Sequence, residues 1–542
     1  MTATALSPDF TPSPISYTPS QDFIGNDGKW SAFVLRVGTP SQNFRVLPAS
    51  RAGEAYIPIV DGCSQENRTD CGALRGAFDF NGRPSDGFLV NRSSSWHELG
   101  IYDMDIRPEL GFDANALYGQ DSLGLMIQNS GGPILTNQVV AGVANPDVYV
   151  GMLGLGIKPA NFSEFDSPQK SILQSLKDQG QIPSLSYGYT AGAYYSECFS
   201  LRQVCVETYL IAGTPKVLGS LTLGGFDQSR FEPNDITFPF DADDDRPASL
   251  NIQSITAQNS FNGTVNLLGA DQPTYVRIDS TIPHLWLPNS TCDRIASAFK
   301  LHYDNTTDLY LVNDTIHAEL QKYNPTITIG LGATADPEQR VNVVLPYGAF
   351  DLQASYPIYP NASKSYFPIR RAYNQSMYTL GRTFLQEAYV NIDYERGNFA
   401  VHQALFPATN EKQQIVPIIA PSIQQSIPVT HKIKHFGKGA TVGLVIGSIL
   451  LISSFTCLLF YYLRRRSRGR KEPHVTDDAK EELPNDCRVE KDGSALHEAD
   501  GQQYYELYYE GLEMVVNVGP RFELSGNTIS YELAAKRSSQ GP

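Results

Sequence analysis

The sequence lacks the short motifs that mark most metal-dependent and nucleophilic hydrolases. Its nine histidines are scattered, none stands in a His-Glu-x-x-His pattern, and no Gly-x-Ser-x-Gly turn occurs. The stretch from Gly330 to Gly332 has no third glycine, so it is a poor nucleotide fingerprint. Excess positive charge is also missing, since the net charge is −15. We therefore expect no metal, no cofactor and no nucleic-acid partner.

Good amphipathic helical runs are few in the long N-terminal part of the chain. Short alternating segments between turns dominate instead, as in residues 31–37 and 326–329. An alternation of period two is typical of β-strands. A chain of 542 residues with this pattern predicts a mainly β protein of two or three domains with a few helices.

Two stretches of the sequence repeat each other. Residues 46–58 begin Val-Leu-Pro-Ala-Ser-Arg and end Ala-Tyr-Ile-Pro, whereas residues 276–288 begin Val-Arg-Ile-Asp-Ser-Thr and end Leu-Trp-Leu-Pro. Ala49 in the first copy and Asp279 in the second each stand nine positions before the closing proline. An apolar residue followed by glycine comes downstream of each copy, ending at Gly154 and Gly381. The shared order and spacing indicate an internal repeat.

A long uncharged apolar run covers residues 439–463 and is followed at once by a basic stretch, residues 464–471. The run is long enough to cross about 30 Å of hydrocarbon, and the basic flank predicts a cytosolic tail. Nine Asn-x-Ser/Thr sequons precede the run and none follows it, which predicts an extracellular N-terminal part. The sequon asparagines are Asn67, Asn91, Asn161, Asn262, Asn289, Asn305, Asn313, Asn361 and Asn374.

The cysteines before the apolar run fit an oxidising compartment. Cys292 stands alone and is either a free thiol or a cysteine with an unexpected partner. The other four form two pairs that are close in sequence, each able to close a small disulfide loop: Cys63 with Cys71 and Cys198 with Cys205.

The first residues of the chain do not read as a signal peptide. Residues 1–22 are rich in Ser, Thr and Pro and contain no apolar core segment. Because an extracellular domain needs such a signal, we expect the recorded start to be incomplete. The polar tail, residues 464–542, carries a Tyr- and Glu-rich cluster at 504–510, which is either a solvated segment or a sorting or signalling motif. The sequence does not indicate a partner for this tail.

Four further segments resemble, in order, the pepsin-like aspartic peptidases. Residues 33–46 are similar to the N-terminal hairpin of that family, and residues 152–156 to its first apolar-apolar-Gly element. Residues 220–227 and 378–393 resemble the strand that crosses between the lobes and the closing segment of the C-terminal lobe. The resemblance covers residues 28–405 and is greatest to membrane-anchored fungal members. It implies a mainly β, bilobal fold, and the apolar run and the polar composition after it add one transmembrane helix and a disordered cytosolic tail.

The domain boundaries that follow from the resemblance and from the membrane pattern are an N-terminal segment, 1–27; an N-terminal lobe, 28–226; a C-terminal lobe, 227–407; a juxtamembrane linker, 408–438; a transmembrane helix, 439–463; and a cytosolic tail, 464–542.

In this family two aspartates, one from each lobe, share a proton and together activate a water molecule. The resemblance places Asp279 at the second catalytic position, but Ala49 stands where the first aspartate belongs. An alanine can neither take a proton from water nor protonate a carbonyl oxygen. The loss therefore predicts a protein with little or no peptidase activity.

The residues beside the two catalytic positions also matter. Ser50 and Ser280 stand where the family has hydroxyls that hydrogen-bond across the lobes, so we expect this turn support to survive. Arg51 and Thr281 replace the glycines of the two family triplets. Because glycine permits positive φ and close backbone approach, both replacements predict an altered turn.

The family also covers its cleft with a hairpin flap, for which Tyr56 and Tyr102 are the cleft and flap candidates. Tyr102 is either the flap tyrosine or an ordinary hairpin residue, and the segment after it is longer than is usual in the family. Asp103 and Asp105 lie in this segment and are candidates for a substitute carboxylate. Asp279 itself is either a ligand-binding carboxylate or a group that only accepts backbone hydrogen bonds.

Two functional hypotheses follow. The first is a cell-membrane protein with one transmembrane helix and an extracellular pepsin-like domain that does not cleave peptides efficiently, and whose cleft binds a peptide, protein or glycan ligand. The alternative is an active cell-surface aspartic endopeptidase that uses Asp279 and a substitute carboxylate.

Overall fold

The computed structural model describes residues 12–64, 68–112, 114–162, 166–195, 216–269, 274–333, 339–407 and 412–421. All of them belong to one of the two compact units into which the chain divides, Met1–His431. The second unit, Lys432–Pro542, contains none of the described residues. The described part is mainly β, as the alternating segments predict.

The strands of the first half, numbered in chain order, are β1 (Ile15–Tyr17), β2 (Pro19–Ile24), β3 (Trp30–Val37), β4 (Gln42–Ala49), β5 (Ala55–Pro58), β6 (His97–Asp103), β7 (Asn115–Leu125), β8 (Ile134–Val143), β9 (Gly151–Gly154), β10 (Ser186–Thr190), β11 (Ser220–Leu223) and β12 (Gly225–Asp227).

The strands of the second half are β13 (Phe231–Glu232), β14 (Phe238–Pro239), β15 (Ser249–Ser260), β16 (Gly263–Asn266), β17 (Thr274–Ile278), β18 (Leu285–Pro288), β19 (His302–Asp304), β20 (Leu309–Leu311), β21 (Thr326–Gly332), β22 (Val341–Pro346), β23 (Leu352–Ala354), β24 (Lys364–Phe367), β25 (Ile369–Ala372), β26 (Thr379–Leu380), β27 (Ala388–Asp393), β28 (Asn398–Ala404) and β29 (Ile415–Pro417).

The helices are short, and most lie between strands of the second half. They are α1 (Cys71–Leu74), α2 (Ile172–Asp178), α3 (Asn289–Phe299), α4 (Asp314–Tyr323), α5 (Tyr347–Phe350) and α6 (Arg382–Leu385). Single 3₁₀ turns cover Val60–Gly62, Val90–Arg92, Pro108–Leu110, Gln228–Arg230 and Gln375–Met377.

Three large sheets organise the unit. The first half forms an eight-stranded sheet in the order β2-β3-β4-β9-β5-β8-β7-β6. The second half forms another, in the order β22-β21-β15-β17-β26-β18-β25 with β16 on β15. A seven-stranded sheet joins the halves, because β10 of the first half pairs in it with β27 of the second. Two small sheets, β12-β29 and β19-β20-β24-β23, complete the described strands.

The internal repeat is visible in the strand pairing. In the first half β9 lies between β4 and β5, parallel to β4 and antiparallel to β5. In the second half β26 lies between β17 and β18 in the same two orientations. Each half therefore has a strand, a turn and a strand with a later strand inserted between them. The duplicated sequence pattern thus corresponds to a duplicated topology.

The glycines at the ends of the inserted strands explain part of the pattern. A Cβ on Gly154 would lie 2.4 Å from the carbonyl oxygen of Glu54, and one on Gly381 would lie 2.4 Å from that of His284. The amides of the same glycines donate to the same carbonyls, at 3.0 Å and 3.1 Å. Each glycine is needed because the inserted strand must approach the turn backbone closely.

The core runs through both halves. Strand β3 is buried at every position, so its near-continuous apolar sequence suits a strand with both faces covered. Buried residues of the two halves, such as Phe33 and Leu153 in the first and Leu250 and Leu380 in the second, belong to one continuous cluster. The turns between β4 and β5 and between β17 and β18 are therefore carried by a single rigid core.

The folded unit extends beyond the predicted lobe boundaries at both ends. Strands β1 and β2 precede residue 28, and they pair with β11 and β3. Strand β29 lies within the predicted linker, 408–438, and pairs with β12. The Ser-, Thr- and Pro-rich composition of the N-terminal residues permits these strands, because short edge strands need only backbone hydrogen bonds and a few apolar contacts. The buried Tyr17 is one such contact, and its hydroxyl donates to the carbonyl of Val34 at 2.6 Å.

Among the described residues no helix has the length and apolar character needed to cross a membrane. The predicted transmembrane helix, 439–463, and the predicted cytosolic tail, 464–542, lie outside the described residues.

Candidate functional site

The two repeated turns meet between the halves of the unit. The backbone amide of Ser50 donates to the hydroxyl oxygen of Ser280 at 3.0 Å, and the amide of Ser280 donates to the hydroxyl oxygen of Ser50 at 3.0 Å. This reciprocal pair of bonds is the turn support that the sequence predicts. The bonds bring the position of Ala49 next to that of Asp279, although the two lie far apart in the chain.

Asp279 is a buried carboxylate whose oxygens both have partners. One oxygen accepts the hydroxyl of Ser50 at 3.0 Å and the backbone amide of Thr281 at 2.9 Å. The other accepts from the guanidinium of Arg107 in a short ion pair. The carboxylate therefore does more than accept backbone hydrogen bonds, which was one of the two expectations for it.

The ionisation of Asp279 follows from these contacts. Burial by itself disfavours the charged form, since only 2% of the residue is exposed. The charge of Arg107 and the hydrogen bonds from Thr281 and Arg107 outweigh burial and lower the pKa of Asp279 to about 2. The carboxylate is thus ionised and neutralised by a neighbouring cation at any pH well above that value.

Arg107 belongs to the long segment after the predicted flap tyrosine, and no part of its side chain is exposed. Besides pairing with Asp279, it donates from Nη2 to the Thr379 hydroxyl oxygen at 2.9 Å and from Nε to Glu109 at 2.7 Å. Glu109 also lies 3.3 Å from Arg277. Burial, followed by the repulsion of Arg107, lowers the pKa of Arg277 to about 10.

The backbone around Arg107 forms one tight turn that enters the cleft. The amides of Leu110 and Phe112 donate to the carbonyl oxygen of Arg107 at 3.0 Å and 3.1 Å. The side chain of Leu110 is buried against Ile282, Trp286 and Met377 of the second half. We call residues 104–112 the cleft segment. It fills the space directly in front of Asp279.

Ala49 provides an apolar surface on the other side of the cleft floor. The residue has no exposed area and packs in a cluster with Tyr56, Met104 and Met152. Asp103 and Asp105, the candidates for a substitute carboxylate, are exposed. Neither is a hydrogen-bond or ion-pair partner of Asp279 in the described part of the chain.

The first turn does contain a carboxyl group that the sequence analysis overlooked. Glu54 accepts a hydrogen bond from the Tyr56 hydroxyl at 2.7 Å and another from the backbone amide of Gly53 at 3.0 Å. Burial raises the pKa of Glu54, and the hydrogen bond from Tyr56 partly opposes this effect. The Tyr56 hydroxyl also lies 3.2 Å from the carbonyl oxygen of Met104. Tyr56 therefore contacts the backbone of the cleft segment at Met104.

The segment in which a flap is expected forms the hairpin of β6 and β7. Tyr102 is half-buried near the end of β6, and its ring packs against Phe162 and Tyr118, with centroids 5.0 Å and 6.1 Å apart. The tyrosine thus supports the hairpin within the first half. The residue of this region that reaches Asp279 is Arg107, five positions further along the chain.

The glycine replacements do not strain the turns. Neither Arg51 nor Thr281 has a positive φ. The side chain of Arg51 leaves the turn and donates to the carbonyl oxygen of Asp245 at 2.9 Å. Thr281 uses its amide to hold Asp279. Both positions therefore have conformations that any residue can adopt, so the replacements restrict the backbone without straining the turns.

A pocket of about 340 Å³ remains open beside the cleft segment. One wall consists of Glu109 and Leu110 of the cleft segment. The other wall, from the second half, is rich in aromatic and basic side chains and includes Trp286, Tyr303, Arg370, Arg371 and Tyr373. This combination provides flat apolar surfaces and hydrogen-bond donors.

The remaining predicted residues lie on the periphery. Cys63 and Cys71 form the predicted disulfide, and Cys292 is a buried free thiol whose pKa burial raises to about 12. Cys198, Cys205 and Asn67 lie outside the described residues. The other sequon asparagines are all exposed: Asn91, Asn161, Asn262, Asn289, Asn305, Asn313, Asn361 and Asn374.

Sequence similarity adds no identification to this geometry. No family model matches the chain, and no curated protein matches it.

Proposed function

We propose that this chain is a pepsin-like protein of the cell surface that does not cleave peptides. The observation that carries the proposal is the pairing of Asp279 with Arg107 across the cleft, opposite the alanine at position 49. The duplicated strand topology and the Ser50–Ser280 bonds support the pepsin-like part. The apolar run and the exposed sequons support the placement at the membrane.

The chemistry of the site argues against peptide hydrolysis in two ways. An aspartic peptidase needs one carboxylate to take a proton from water and a second carboxyl group to give a proton to the carbonyl oxygen. Asp279 is held ionised by Arg107, and Ala49 has no proton to give. The side chain of Arg107 also occupies the space in front of the carboxylate. A water molecule and a peptide carbonyl would have to displace it.

The ligand in this proposal binds beside the cleft segment. The pocket with Trp286, Tyr303 and Tyr373 provides aromatic surfaces, and Arg370 and Arg371 provide donors. Aromatic surfaces with a few convergent polar groups are typical of sites for peptides and sugars. We therefore retain a peptide, protein or glycan as the ligand class.

The test is a peptide-cleavage assay at acid pH on the purified full-length protein, with Asp279→Asn as the control. We expect no difference between the wild type and the variant, and poor binding of a pepstatin-like transition-state mimic to both. Loss of one acid–base partner typically lowers a rate by 10²–10⁴-fold. Robust cleavage by the wild type that disappears in Asp279→Asn would overturn the proposal and favour the endopeptidase alternative.

A further inference from the structure

We propose that Asp279 and Thr379 form a guanidinium-binding site and that Arg107 of the same chain occupies it. The cleft segment, residues 104–112, thereby acts as an internal plug of the cleft, and we call it the plug. The inference rests on the proposed function and deepens it by naming the chemical class that the site recognises. That class is an alkylguanidinium, the end group of an arginine side chain.

The contacts match the shape of a guanidinium. Each of the three nitrogen atoms of Arg107 has its own acceptor: Asp279 for Nη1, Thr379 for Nη2 and Glu109 for Nε. A planar guanidinium offers its N–H groups in a fixed fork, whereas an ammonium ion is a compact point charge with three donors on one atom. A lysine at this position could not reach three separate acceptors in this geometry.

Two of the acceptors are oriented without the help of Arg107. Asp279 is held by Ser50 and Thr281. The hydroxyl of Thr379 donates its hydrogen to the carbonyl oxygen of Met377 at 2.9 Å, so its oxygen can only accept from Arg107. Both groups belong to the rigid second-half turn and to β26. The second-half turn and β26 therefore form the site, and the plug supplies the Arg107 guanidinium that binds in it.

The plug is a tight turn whose first residues, Met104 and Ile106, are buried in an apolar cluster of the first half. Its two ends have positive φ, at Asp105 (43°) and Gly111 (85°). Between them, three side chains contact the second half: Arg107 and Glu109 by charge, and Leu110 by apolar packing. Asp105 and Pro108 remain exposed. Removing the Arg107 side chain should therefore open the site without disturbing β6 and β7.

The experiment is chemical rescue of Arg107→Ala in the full-length, detergent-solubilised protein. The variant should melt on the order of 5 °C below the wild type, because a buried ion pair has lost one partner. N-ethylguanidinium, which replaces the missing part of the side chain, should recover roughly half of that shift at concentrations well above its Kd. Ethylammonium at the same concentration should recover little.

The controls separate specific binding from a general solvent effect. Neither compound should raise the melting temperature of the wild type, whose site is occupied, or of the double variant Arg107→Ala/Asp279→Asn, which lacks the carboxylate. Equal rescue of the double variant, or no rescue of Arg107→Ala, would overturn the proposal. The measurement needs no substrate. Peptidase activity of the wild type would therefore refute the proposed function without changing this result.

A second measurement covers the case in which Arg107→Ala does not fold. In Asp279→Asn, amide hydrogen exchange at Leu110 and Phe112 should be at least about tenfold faster than in the wild type, as expected for a loosened local unit. Exchange in β6 and β7 should stay unchanged. Unchanged exchange at both amides would show that Asp279 does not hold the plug and would overturn the proposal.

Discussion

The ion pair between Asp279 and Arg107 predicts a specific dependence of stability on pH. The pKa of Asp279 is about 2 in the folded protein, against an ordinary value of 3.8. Because the folded value is depressed, the carboxylate contributes stability that is fully present above pH 3.8 and is lost as the pH falls towards 2. The cleft is therefore predicted to stay plugged through the mildly acidic range in which aspartic peptidases work.

The size of the effect follows from the same two values. Their difference corresponds to about 2–3 kcal/mol of unfolding free energy at neutral pH. The contribution remains nearly whole at about pH 4 and falls to roughly half at about pH 3. Asp279→Asn removes it and also leaves the buried Arg107 with Glu109 as its remaining carboxylate partner. We expect a loss of about 3 kcal/mol at pH 6, near the lower end for breaking a buried pair.

The assay is urea unfolding of the full-length protein in detergent, followed by tryptophan fluorescence. The three tryptophans of the chain, Trp30, Trp96 and Trp286, all lie in the described unit, so the signal reports on that unit alone. Wild type and Asp279→Asn are compared at pH 6, 4 and 3. The matched control is Asp293→Asn, which removes an exposed aspartate that also pairs with an arginine.

The outcomes are distinct. The difference between wild type and Asp279→Asn should narrow as the pH falls from 4 to 3, whereas Asp293→Asn should cost under about 1 kcal/mol at every pH. A difference that is the same at pH 6 and pH 3 would refute the reasoning, because the variant would then act through packing and not through charge.

Three further predictions concern activity, packing and topology. Ala49→Asp alone should remain inactive in the acid-pH assay because Arg107 still covers Asp279, whereas Ala49→Asp with Arg107→Gln should cleave peptides and be blocked by a pepstatin-like mimic. An equally inactive double variant would contradict this role of the plug. Gly381→Ala should lower the unfolding free energy by about 1–3 kcal/mol in the same urea assay, since its Cβ would lie 2.4 Å from a turn carbonyl oxygen. An unchanged midpoint of urea unfolding would contradict the close approach of Gly381 to the turn backbone. Enzymatic removal of N-linked sugars should lower the apparent mass of the expressed protein. Antibodies against residues 464–542 should label permeabilised cells only, and labelling of intact cells would contradict the predicted orientation.

Several features of the fold were predictable because their signals are local. Alternating apolar residues predict strands, and the spacing shared by the turns at Ala49 and Asp279 predicts a duplicated unit. Cys63 and Cys71 are close enough in sequence to predict their disulfide. The predicted lobe boundaries, 28 and 407, exclude strands at both ends of the folded unit. Edge strands such as β1 and β29 carry little pattern of their own, and their pairing depends on a distant partner.

The candidate site was predictable in part. The repeat identified Asp279 and its counterpart Ala49, together with Ser50 and Ser280, which follow them in the two turns. Two expectations about neighbouring residues were settled by geometry that the sequence does not encode locally. Arg51 proved unstrained because its φ is negative. The carboxylates sought in the segment after Tyr102 are exposed, and an arginine of the same segment reaches the site.

The sequence by itself determined that this protein has a repeated β architecture with an aspartate in one turn and an alanine at the matching position of the other, because both follow from residue type and spacing. Tertiary structure alone decided which cation pairs with Asp279. Arg107 and Asp279 are 172 residues apart, and no periodicity or motif links them. Their pairing depends on the path of residues 104–112 between two halves of a packed core, and charges so far apart in the chain meet only when the whole chain has folded.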